Sequence, residues 1–183
     1  MGRLLLICED VLSLEADALV CPAHKHLIRG RGLSAQIYDR AGDELVSECS
    51  HLPECPVGEA RISAAPNLMV NHLIHTVTPQ WSSGDQWGAQ GVAQLRACYD
   101  SVLALAKERG LRRLLFPALG AGTNRFPHEI AAHQGLTALR AAQDDFSQLT
   151  VSLHSRAALA TWRKVDARFF SENPNGGDPA ASA

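Results

Sequence analysis

Short apolar runs of strand length alternate along this chain with stretches whose apolar residues recur at helical spacing, and that alternation leaves few folds open. Leu4 to Cys8 is an unbroken apolar run closed by Glu9 and Asp10, and Ala16 to Cys21 is a second, closed by Pro22. Ser34 starts a helical stretch in which Leu33, Ile37 and Ala41 share a face and Gly42 sits where a C-cap would; a short helix over Asp43 to Leu52 then stops before Pro53. Ala60 to Ser63 and His72 to Val77 read as strands on either side of the Pro66-Asn67 turn signal. The longest helix spans Val92 to Arg109, and a buried strand, Leu114 to Phe116, follows it. Pro127 opens a helix that runs to Ala142, ahead of a strand over Leu149 to Leu153 and a last helix over Ala157 to Phe170. The pattern predicts an α/β protein: a three-layer α/β/α sandwich with a central, mostly parallel mixed sheet of about six strands.

One domain suffices for this length. Residues 1–170 are expected to form it, while 171–183 are polar and rich in Pro, Gly and Ala and are expected to be a disordered tail. A unit of that size hides roughly 70% of its unfolded surface, so it needs neither metal nor disulfide to hold it. The five cysteines, Cys8, Cys21, Cys49, Cys55 and Cys98, make no CxxC pair and no even set, which predicts reduced, mostly buried thiols. His24 and His26, or His72 and His75, supply no third and fourth ligand at zinc spacing, so no metal and no cofactor is expected.

A formal net charge of -2 excludes a global field for polyanions, so any recognition of phosphate must be local. No apolar run approaches a membrane span, and the N-terminus does not read as a signal peptide. The expectation is a cytoplasmic monomer with no membrane contact.

In open α/β sheets ligands bind beyond the carboxyl ends of the strands. Three such loops stand out here. One follows Ile7 and ends in two acids; Asp10 is able to accept a hydrogen bond from an exocyclic amine, or simply to cap the following turn. One follows Val20 and carries His24 and Gly30-Arg31-Gly32-Leu33-Ser34, and one follows Phe116 and runs Gly120-Ala121-Gly122-Thr123-Asn124 into a helix. Both glycine loops lead from a strand into a helix and expose backbone N–H groups near a positive helix end, which is the makeup of an anion cradle.

The ordered segments CEDV, ADALVCPAH, RGRGLSAQIYDRAG, CPVGEARIS, HLIHTVTP and LLFPALGAGTNRFP resemble the macro domain family over residues 4 to 155. The resemblance implies a cleft for ADP-ribose or a related adenine nucleotide, free or attached to a protein or nucleic acid. It implies adenine contacts at Asp10 and the Val11 backbone, with His154 or Ser155 bordering the base. Cys21 and His24 join the ligand-binding set; Gly30, Arg31, Gly32, Leu33 and Ser34 would then face the distal ribose and diphosphate from one side, and Gly120, Ala121, Gly122 and Thr123 from the other. Asn124 stands where many members place an aromatic against the distal ribose, and Phe126 is the next aromatic available.

The chain departs from the pattern of hydrolytic members. Their Asn-Ala-Ala-Asn is here Cys21-Pro22-Ala23-His24, and the aspartate that opens their first helix is Ser34. A neutral hydroxyl is a poor general base, which leaves His24 and Ser34 as the only catalytic candidates. The reading that follows is a binding module with weak or no hydrolysis by the usual mechanism. The alternatives are an ADP-ribosyl or O-acetyl-ADP-ribose hydrolase with rearranged groups, and an interaction scaffold whose cleft is closed by Arg31 and Arg125.

Overall fold

The computed structural model describes residues 1–81 and 85–171, so the expected tail, apart from Ser171, lies outside the described residues. Six strands, β1 (Arg3–Ile7), β2 (Ala16–Pro22), β3 (Ala60–Ala64), β4 (Val70–Thr76), β5 (Arg113–Phe116) and β6 (Gln148–Ser152), form one sheet in the order β1-β6-β5-β2-β4-β3. Every neighbouring pair is parallel except β3 with β4, so the antiparallel strand is confined to an edge. The helices are α1 (Leu33–Ala41), α2 (Asp43–Ser50), α3 (Asp85–Glu108), α4 (His128–Ala142) and α5 (Arg156–Phe169).

A sheet covered on both faces requires strands that are apolar on both, and β2 shows how this is met. Ala18 and Val20 point into the core shared with α3, α4 and α5, while Leu19 and Cys21 point into the core shared with α1 and α2. In β5, Leu114 and Phe116 join the first core and Leu115 the second. The three-layer α/β/α sandwich expected from the alternation is the fold observed.

Two elements differ from the sequence pattern for identifiable reasons. Helix α3 begins at Asp85, ahead of the expected Val92. Gly88 and Gly91 lower the local helix propensity and hide the start, and the tertiary fold overrides a cost of about 1 kcal/mol per glycine. A 3-10 turn at Val11–Ser13, too short for any periodic signal, follows β1 and is capped by Asp10.

Between α4 and its neighbours one position tolerates no side chain. A Cβ on Gly135 would lie 2.8 Å from the Tyr99 ring and 3.0 Å from Trp162, both fully buried. Gly135→Ala is therefore expected to lower stability by about 1–3 kcal/mol through overpacking, against the gain in helix propensity that alanine normally brings. Urea denaturation of the two proteins measures it, and an unchanged or higher midpoint would refute the packing account.

Candidate functional site

The cleft lies where five strands end, and each loop is held by its own hydrogen bonds. At the β1 end, the Ser152 hydroxyl donates to the Glu9 carbonyl (2.6 Å) and accepts from the Glu9 N–H (3.2 Å), which pins the loop after β1 to the end of β6. One carboxylate oxygen of Asp10 accepts from the Leu12 N–H at 3.0 Å. Asp10 thus caps the turn after β1, one of the roles its sequence position offers. Its second oxygen has no protein partner among the described residues, and the side chain is exposed on the cleft wall.

The loop from β2 into α1 is braced from within. The Tyr38 hydroxyl donates to the Leu27 carbonyl (2.6 Å), Arg29 forks onto Asp39 (2.7 and 3.0 Å), and the Ser34 hydroxyl accepts from the Gly30 N–H (3.1 Å). Gly32 is the N-cap of α1 and offers no side chain to its first turn, so the N–H groups there are left without a side-chain cap, and Gly32, Leu33 and Ser34 line the cleft. In the loop from β5 into α4, Gly120 has φ +83°, and the Phe126 N–H closes the turn onto the Gly120 carbonyl at 2.8 Å. The N–H groups of Gly122, Thr123 and Asn124 have no partner among the described residues.

The two glycine loops stand side by side. A Cβ on Gly32 would lie 3.5 Å from the Thr123 methyl, and both loops line one cleft of about 930 Å³. Arg31 lines this cleft without closing it. Two glycine turns with unpartnered N–H groups on either side of a groove of that size make a site for a diphosphate or a similarly extended anion.

Of the residues singled out in the sequence, Asp10, Val11, His24, Gly30 to Ser34, Gly120 to Asn124 and His154 all border the cleft. Two do not. Phe126 is 2% exposed and packs on Trp81 with ring centroids 5.2 Å apart, as part of the core beneath the loop. Gly120 brings the chain in over this ring, so the aromatic supports the turn and does not reach a ribose. Cys21 is fully buried because strand alternation sends its side chain under α1, opposite His75 in register, and burial pushes its thiol up to about 12. It is neither a ligand contact nor a nucleophile.

Local bonds also decide what the catalytic candidates offer. Ser34 is 1% exposed and its hydroxyl is engaged as an internal brace. His24 accepts the His26 N–H on Nδ1 at 3.1 Å, so the neutral ring carries its proton on Nε2 and presents a donor to the cleft rather than a base. The His26 ring lies beside it, with centroids 5.4 Å apart, and its Nδ1 meets the Glu54 carboxylate at 3.0 Å. Asn124 directs its amide onto the Thr78 carbonyl (3.0 Å) and hydroxyl, and its own carbonyl accepts from the Trp81 N–H (2.8 Å). Its side chain staples the diphosphate-type loop to the end of β4 instead of covering a sugar. Ser155 caps α5 through the Ala158 N–H.

Thr78, Gln80, Pro117, Gln36 and Ser152 also line the cleft and were not read from sequence. Thr78 and Ser152 follow or end strands β4 and β6, so extending the carboxyl-end rule to every parallel strand would have found them.

An α/β/α sandwich with paired glycine turns over the strand ends, and without a phosphate-loop lysine, defines a class of anion-cleft domain. The chain belongs to the macro domain family, whose sequence profile matches residues 20–134. A macro domain-containing protein of Ralstonia nicotianae is 35% identical over 84% of this chain and 88% of its own length. ADP-ribose glycohydrolase MACROD1 of Bos taurus is 40% identical over 72% of the chain, a span that covers 40% of that protein. Among solved structures, an Oceanobacillus iheyensis macrodomain with ADPR superposes with a TM-score of 0.82 at 25% identity, covering 89% of this chain and 91% of its own. A Trypanosoma brucei macrodomain in complex with ADP gives 0.80 at 26% identity, covering 89% and 68%.

Proposed function

We propose that this cleft binds ADP-ribose, free or carried by a protein or nucleic acid, and that the chain acts chiefly as a cytoplasmic, monomeric binding module. The observation that carries the reading is the contact between the Gly32 and Thr123 turns, with unpartnered N–H groups on both sides of one groove. The free Asp10 oxygen accepts from the adenine amine at the β1 end, and the Nε2–H of His24 lies toward the distal ribose. The solved relatives that hold ADPR or ADP support the ligand.

Asp10→Asn separates base recognition from capping, because an amide oxygen still accepts the Leu12 N–H while the amide nitrogen cannot accept from adenine. Calorimetric titration with ADP-ribose is expected to show affinity reduced by about 1–3 kcal/mol at unchanged thermal stability. No detectable heat from the unaltered protein at millimolar ADP-ribose would overturn the proposal as a whole.

Hydrolysis is the second reading, favoured by the 40% identity to a glycohydrolase. With the Ser34 hydroxyl engaged as a brace and His24 presenting a donor, neither of the two sequence candidates supplies the general base, so turnover by this route would rest on orienting a water against the bound diphosphate. Release of ADP-ribose from an ADP-ribosylated protein tests it; multiple turnovers that are lost in His24→Ala would replace the binding reading.

A further inference from the structure

The outer face of α5 gathers charge that the cleft does not use. Ala158, Trp162 and Val165 are buried in the core shared with α3 and α4, whereas Arg156, Arg163, Lys164 and Arg168 are all exposed on the opposite side of the helix. Between them stand Ala157, Ala160 and Ala167, so this face presents four cations, small side chains and no acid. The helix has one acid, Asp166, which turns toward α4 and is forked by Arg140. Elsewhere Arg29, Arg96 and Lys107 each meet a carboxylate, but none of the four cations on α5 forms an ion pair among the described residues. Arg168 instead lies over the Phe169 ring, 5.1 Å from its centroid, and Phe169 is itself 52% exposed. Lys164 and Arg168 stand one turn apart, a like-charge spacing that costs a helix stability, so the arrangement brings the fold no gain of its own.

We propose that this face is a track for single-stranded nucleic acid, and that the strand leaves the cleft at its adenine end. The inference rests on the assignment of the cleft to an adenine nucleotide. His154 lines the cleft, Ser155 caps α5 and Arg156 follows, so the track starts at the cleft rim and runs away from it for about 18 Å as far as Arg168. The adenine is assigned to the same β1 and β6 end, so the strand is carried on a hydroxyl of the adenosine, across the diphosphate from the distal ribose. Cations set among alanines let a phosphate backbone come close to the helix, and an exposed ring with an arginine over it offers a base a stacking surface. An anionic membrane fits this face less well. A helix that lies in a bilayer surface inserts its apolar side, and that side of α5 is already buried in the core.

Fluorescence anisotropy of a labelled single-stranded RNA of about a dozen nucleotides, added to the intact protein, reads the track. The expected result is binding that weakens with salt, with a log-log slope of about -2 to -3 for three to four phosphates neutralised. Arg163→Glu combined with Lys164→Glu is expected to weaken RNA binding by about 10-fold or more and to leave the calorimetric affinity for ADP-ribose unchanged, since neither residue lines the cleft. Phe169→Ala is expected to cost about 5-fold at an unchanged salt slope, because it removes stacking and no charge. The same RNA with its 5′ phosphate esterified to the adenosine 3′ hydroxyl of ADP-ribose is expected to bind at least about 10-fold tighter than either part. RNA binding that survives in the double variant, an attached strand that adds nothing to the affinity for ADP-ribose, or binding to phosphatidylserine vesicles without binding to RNA would each overturn the track while leaving ADP-ribose recognition intact. RNA binding by a protein that gives no heat with ADP-ribose would instead overturn the assignment of the cleft, and with it the path of the strand.

Discussion

Gly120→Val is expected to abolish ADP-ribose binding and to lower stability by roughly 2–5 kcal/mol, from backbone strain and overpacking together. Its φ of +83° lies in the left-handed region, where a β-branched residue is a strained outlier. Space is lacking as well: a Cβ there would stand 3.0 Å from both the Leu95 side chain and the Phe126 ring. Neither neighbour yields cheaply, because Leu95 is fully buried and Phe126 is wedged against Trp81. Relief comes only by lifting the turn, and that carries the Gly122, Thr123 and Asn124 N–H groups away from the groove. Gly122 provides the contrast, since nothing lies within 4 Å of a Cβ built on it and its φ is not left-handed. Gly122→Ala should therefore fold with normal stability. Chemical denaturation and calorimetry on both variants test the account, and a Gly120→Val protein that binds ADP-ribose normally would show that the turn does not position the cradle.

Strand alternation and loop placement were legible in the residues because they follow from elementary periodicity. Ala16 to Cys21 had to be a doubly buried strand, and a glycine loop after it had to lie at the sheet's carboxyl edge. What escaped depends on contacts between segments distant in sequence. The role of Asn124 is set by Thr78, that of Ser152 by Glu9, and that of Phe126 by Trp81. No local pattern around Phe126 distinguishes an aromatic that faces a ligand from one that props up the turn above it. The His24 tautomer likewise follows from a single N–H two residues on, a feature of loop conformation that the sequence does not specify.

The largest effect of pH on stability is expected from a group outside the cleft. His75 on β4 is completely buried, with Nε2 at 2.8 Å from the Ser63 hydroxyl and 3.7 Å from the Cys49 sulfur, while Nδ1 has no partner among the described residues. Burial without a counter-charge disfavours the imidazolium and lowers its pKa from 6.5 to about 4. The folded protein therefore keeps His75 neutral over a range in which the unfolded chain protonates it. As pH falls through 6.5 the unfolded state begins to gain protons that the native state refuses, so stability declines; below about 4 both states are protonated and the decline stops. Across that window the loss from this one residue is roughly 3 kcal/mol, at about 1.4 kcal/mol per pKa unit. His75→Leu removes the titrating ring, and Ser63 keeps its bond to the Ala64 carbonyl. Comparing urea denaturation at pH 7 and pH 4.5, the unaltered protein should lose about 2–3 kcal/mol more than the variant, because the other titrating groups are common to both. Equal losses would mean that the buried imidazole finds a way to take its proton in the folded state. That would require water or a carboxylate to reach the layer between the sheet and α2, where Cys49 and Ser63 are its neighbours now.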